Sequence, residues 1–142
     1  MIWKTRILAA LSLVGAGIAR ALGGWDSALM ALVVFIVLDY ATGLVVAGVF
    51  KASPKSQSGA LESRAGLKGL FRKAAILLCV LVAEMLDRVL GADYVRTTVC
   101  IFFIANESLS VLENFGLMGL PYPQFLKNML DALKEKSSSR EN

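Results

Sequence analysis

Residues 28–50, ALMALVVFIVLDYATGLVVAGVF, restrict what this chain can fold into more than any other stretch. The run is apolar apart from Asp39. At about 1.5 Å per residue, a helix of that length spans the roughly 30 Å hydrocarbon core of a bilayer. A soluble chain of 142 residues buries too little surface to enclose such a helix on every side. The run therefore reads as a membrane-spanning helix. The composition agrees, with 56% hydrophobic and 18% charged residues.

Three further spans are expected around it. Residues 7–22 form the weakest, rich in Ala and Gly and interrupted by Arg20. A basic start followed by an apolar run is also the layout of a secretory leader. The rest of the chain holds no soluble domain to export, so a retained helix is expected, with a helix lying along the membrane surface as the alternative. Gly23 to Ser27 make a tight connection in which Asp26 or Ser27 caps the second helix. Residues 74–90 and 94–113 form the third and fourth spans, joined by a turn at Gly91, Ala92 and Asp93.

Residues 51–73 break the apolar pattern with Lys51, Lys55, Arg64, Lys68, Arg72 and Lys73 against one acid, Glu62. The Ser/Pro/Gly-rich first half reads as a loop, and the second half as an amphipathic turn or two with Leu67, Leu70 and Phe71 toward lipid. Lys51, Lys55, Lys68, Arg72 and Lys73 are expected to contact lipid headgroups from the cytoplasmic side. Residues 114–142 form a cytoplasmic segment. Within it Phe125, Leu126, Met129, Leu130 and Leu133 recur at helical spacing and predict a short amphipathic helix, with a polar tail after it.

The resulting expectation is an all-α, single-domain polytopic membrane protein of about four transmembrane helices with both termini cytoplasmic. Basic residues at the start (Lys4, Arg6), in the central loop and at the end (Lys127, Lys134, Lys136, Arg140) then share one side, while both short turns, which lack Lys and Arg, lie outside. Three spans would push one basic terminus across the membrane.

Charges inside the spans are costly, at about 2.5–3.5 kcal/mol each on insertion scales, so each needs a partner or water. Glu84, Asp87 and Arg88 share a helical face, Glu84 can pair with Arg88, and Arg96 can reach Asp87. Asp39, Thr42, Gly43, Val46 and Ala47 lie on one stripe whose small residues admit a close neighbour. The fourth helix carries Asn106, Glu107, Ser110, Glu113 and Asn114 as polar stripes. These residues either satisfy one another inside a static bundle or serve subunit interfaces and a lumen. Their number favours the second, which makes Asp39, Thr42, Gly43, Glu84, Asp87, Arg88, Arg96, Asn106, Glu107, Ser110, Glu113 and Asn114 the candidates for assembly or pore lining.

Several function classes recede. The net charge of +4 is distributed beside apolar spans rather than over one soluble face, which argues against a nucleic-acid partner. The chain has no histidine, and Cys79 and Cys100 stand far apart within apolar runs, so neither zinc spacing nor a histidine base is present. Gly59, Gly66 and Gly69 do not match a nucleotide-binding loop. No catalytic residue, metal site or cofactor is expected.

Four local patterns occur in order: Asp39-Tyr40-Ala41-Thr42-Gly43, then Gly66-Leu67-Lys68-Gly69-Leu70-Phe71-Arg72-Lys73. The other two are Asn106-Glu107-Ser108-Leu109-Ser110-Val111-Leu112-Glu113-Asn114 and Leu120-Pro121-Tyr122-Pro123. Together they resemble the bacteriophage holin and toxin-secretion holin family, which includes the clostridial toxin-release holin. The Asn-Glu…Ser…Glu-Asn block is the most specific part, and residues 7–22 match no pattern. The resemblance implies a homo-oligomer in the bacterial cytoplasmic membrane that opens lesions for an endolysin or a large toxin, with an antiholin as a further partner. The alternatives are a small ion channel or transporter subunit, using Glu84 or Glu107 as an ion site, and an antiholin or membrane scaffold.

Overall fold

The computed structural model describes residues 1–139, Ser137 in its backbone only; Arg140 and the rest of the C-terminal tail lie outside the described residues. Five helices succeed one another: α1 (Ile2–Ala21), α2 (Ser27–Gly48), α3 (Ser63–Leu90), α4 (Val95–Leu117) and α5 (Gln124–Ser139). There is no strand among the described residues. By length and composition α1, α2 and α4 are each apolar enough to cross a membrane. Helix α3 is longer, but its charges keep its apolar part below that standard.

The centre of the bundle is α4. It packs most extensively on α2, with α5 and α3 along its other sides. Its buried positions include Cys100, Ala105, Ser108, Val111 and Leu112, and the small ones let neighbouring backbones come close. The apolar core lies toward one end, where Leu29 and Leu32 of α2 meet Ile76 and Val80 of α3, Cys100 of α4 and Leu22 of the first turn.

The ends of the helices are set by local chemistry. Asp26 caps α2 by accepting a hydrogen bond from the Leu29 amide at 2.9 Å. Gly91, at φ 65°, closes α3 in the left-handed conformation that glycine adopts without a Cβ penalty. Asp87 then caps the next helix from the side, its carboxylate accepting the amides of Val95 at 3.0 Å and Arg96 at 2.9 Å. This satisfies two donors that α4 cannot satisfy itself.

Three local expectations change. Helix α3 begins at Ser63, so residues 63–73 are its first three turns, continuous with the third span, rather than a separate amphipathic turn or two. Two glycines there, Gly66 and Gly69, lower helix propensity, but they are the seat for the ring of Tyr40, whose hydroxyl donates to the Gly66 carbonyl at 3.2 Å. Helix α4 continues through Asn114 and Gly116 to Leu117, and α5 runs on through Ser139.

Helix α1 is different in kind. None of its residues is buried and only Ala19 is half-buried, so the described residues leave almost all of its surface uncovered. Arg20 is exposed, and only its carbonyl is used, accepting from Arg88 Nη2 at 3.1 Å.

Candidate functional site: a buried ionic node

Asp39 of α2, Lys73 of α3 and Glu107 of α4 converge at the middle of the bundle. The Lys73 ammonium is paired with both carboxylates, and the three side chains are 3%, 13% and 4% exposed for Asp39, Lys73 and Glu107. At 1.5 Å per residue, Glu107 lies about 18 Å from the Val95 end of α4 and about 15 Å from the Leu117 end. The node is therefore at mid-depth of a helix long enough to span a bilayer.

Lys73 is the principal correction to the reading from sequence. Because it ends a basic run, the sequence predicts a headgroup contact for it, alongside Lys51, Lys55, Lys68 and Arg72. The longer α3 carries it into the bundle instead, where two acids need a cation. The other four are exposed. The signal in the sequence was position: Lys73 directly precedes the apolar run 74–90 and is the basic residue of its segment nearest to it.

Asn114 completes the node. Its amide donates to Asp39 Oδ1 at 3.1 Å, to the Asp39 carbonyl at 3.2 Å and to Thr42 Oγ1 at 2.8 Å. The expected stripe on α2 thus faces α4: Asp39, Val46 and Ala47 are buried, and Gly43 lies below the Asn114 amide. Two carboxylates against one ammonium leave one surplus acid, which hydrogen bonds and water must stabilise. A cavity of about 60 Å³ reaches the node between α2, the start of α3 and the intervening loop, lined by Asp39, Tyr40, Ser53, Ser56 and Lys73 among others. Its wall is mostly apolar, with Asp39 and Lys73 among its polar groups, and it has room for water beside them.

A second cluster ties together the end of the bundle where the apolar core lies. The Arg96 guanidinium is buried and donates to Asp26 Oδ2 at 2.7 Å, to Asp26 Oδ1 at 3.1 Å and to the carbonyls of Gly24 (3.0 Å) and Leu22. That guanidinium holds the Asp26 carboxyl below its usual value of 3.8, partly opposed by burial. Glu84 pairs with Arg88 at 2.8 Å and sits 4.0 Å from Arg96 Nε. The sequence put the Arg96 side chain on Asp87, but Asp87 takes only the backbone amide and the side chain goes to Asp26. Gly23, at φ 98°, is required here because a Cβ would collide with the Arg96 side chain.

Of the remaining candidates, Asn106 accepts from Lys134 of α5 at 3.1 Å, Ser110 is half-buried and Glu113 is exposed. The fold and this ionic network define a helical membrane protein whose buried carboxylates at the node share one ammonium inside the protomer. The chain belongs to the bacteriophage holin family, whose model matches residues 16–135. It is 42% identical to an uncharacterised protein of Clostridium perfringens over 82% of each chain, and 38% identical to one of Listeria innocua over 89% of this chain and 86% of the other. A more distant relative, 31% identical over 77% of this chain and 76% of its own, is a probable holin of Bacillus phage phi105. No solved structure matches the chain.

Proposed function

We propose that this protein is a holin: a multi-pass protein of the bacterial cytoplasmic membrane that self-associates and opens lesions through which an endolysin, or a large secreted protein, passes. The observation that carries the reading, beside family membership, is α1. An apolar helix with no buried residue needs lipid or other copies of the chain around it. In this proposal α3 is the fourth span, with Lys73 paired to Asp39 and Glu107 and Arg88 to Glu84, and the N-terminus, the basic loop before α3 and the α4–α5 connection are cytoplasmic, in keeping with the positive-inside rule. Asp39, Thr42, Glu107 and Asn114, which belong to one paired network, fix the crossing of α2 on α4. Glu113, in none of the described ion pairs, is left for contacts between copies.

The test is induced expression in bacteria with and without a co-expressed endolysin. The expected result is abrupt loss of membrane potential, with lysis only when endolysin is present. Cells that keep their potential at high expression would overturn the reading. Delayed lysis by a known holin would instead indicate an antiholin.

A further inference from the structure

We infer that α5 is the helix that lines the aqueous lumen, presenting Gln124, Asn128, Asp131 and Glu135 to water at membrane depth; the inference rests on the holin reading. After Leu117 the chain reverses, with Tyr122 against Gly116, and α5 runs back along α4. Leu130 is buried, Leu126 is half-buried, and Lys134 reaches Asn106 at 3.1 Å with its ammonium 5.8 Å from the Phe102 ring. Asn106 neighbours Glu107, so Lys134 stands level with the ionic node. A helix sent to the cytoplasmic surface would make none of these contacts.

Seated there, α5 has three sides. Leu126, Leu130 and Lys134 face α4. Phe125, Met129 and Leu133 are exposed and apolar, a side that lipid or a neighbouring copy can cover. Gln124, Asn128, Asp131 and Glu135 form the third side at i, i+4, i+7 and i+11, and all four are exposed. Lys127 borders that side and approaches Asp131 only to 3.9 Å. If α4 crosses the bilayer, acyl chains cannot solvate this third side, and no described residue of the protomer covers it. The occupant that matches two carboxylates, two amides and a lysine is water. Closing a ring of copies so that these sides point inward supplies it, and the acidic residues then form rings that favour cations.

The test uses full-length protein reconstituted in planar bilayers, with Cys79→Ala to remove the exposed thiol. Asp131→Cys, Glu135→Cys and Met129→Cys are each treated with a positively charged, water-soluble thiol reagent. Block of the current in the first two and not in the third is expected, together with loss of cation preference in Asp131→Lys. Labelling of Asp131→Cys with unchanged current would overturn the lumen assignment while leaving the holin reading intact. Equal labelling rates at positions 129 and 131 would do the same, because α5 would then lie free in water. Absence of any current from the parent protein would refute the holin reading itself, and this inference with it.

Discussion

Removing Lys73 tests the ionic node most directly. Lys73→Met replaces the ammonium with an apolar chain of similar length and leaves Asp39 and Glu107, almost fully buried, without their cation. Deleting one partner of a buried pair costs about 3–5 kcal/mol, because the remaining charge stays desolvated. Here two acids are orphaned, so the upper half of that range is expected. Asp39→Asn should behave oppositely. It removes the surplus acid, leaves Lys73 one-to-one with Glu107 and keeps an oxygen for the Asn114 amide, so its cost should stay below about 1 kcal/mol. The combination Lys73→Met, Asp39→Asn, Glu107→Gln replaces the ions by neutral groups and should recover most of the loss. Reversible unfolding in mixed detergent–SDS micelles, monitored by circular dichroism, measures all three. A Lys73→Met protein within about 1 kcal/mol of wild type would refute the node as a structural counter-ion system.

Other positions give further expected outcomes. Arg96→Gln should lower stability by about 1.5–3 kcal/mol, since it strips charge-assisted hydrogen bonds from Asp26 and two backbone carbonyls, and the same unfolding assay checks it. Gly23→Ala should be comparably damaging despite adding one methyl group, through its positive φ and the Arg96 collision; near-neutral behaviour would mean the turn is free to move. The Asp26 carboxyl is depressed in the fold, so its contribution to stability is present above pH 3.8 and is lost as pH falls through the lower folded value. Its carboxyl-carbon NMR shift should titrate below 3.8 in the wild type and move upward in Arg96→Gln. A membrane-permeant maleimide should modify Cys79, exposed on α3, and spare Cys100 in the core until the protein is denatured; mass spectrometry of the labelled protein decides.

Length, periodicity and charge placement determined a large part of this protein. The apolar run at 28–50 required a bilayer, because no chain of this size can bury it otherwise. The spacing of Asp39, Thr42, Gly43, Val46 and Ala47 identified the face of α2 that meets a neighbour, since helical periodicity is a local property. Glu84 and Arg88 pair four residues apart for the same reason. Only the tertiary structure decided which distant charges meet. Lys73 resembles its basic neighbours in sequence, and its place beside Asp39 and Glu107 depends on where α3 begins and how it crosses α2 and α4. Arg96 chose Asp26 over Asp87 because the first turn folds over the end of α4. Likewise α5 looked like a surface helix on amphipathicity alone, and its packing along α4 split its apolar residues into a covered side and a free one. Periodicity fixes the sides of a helix; the partners of those sides are set by long-range packing, which no local window contains.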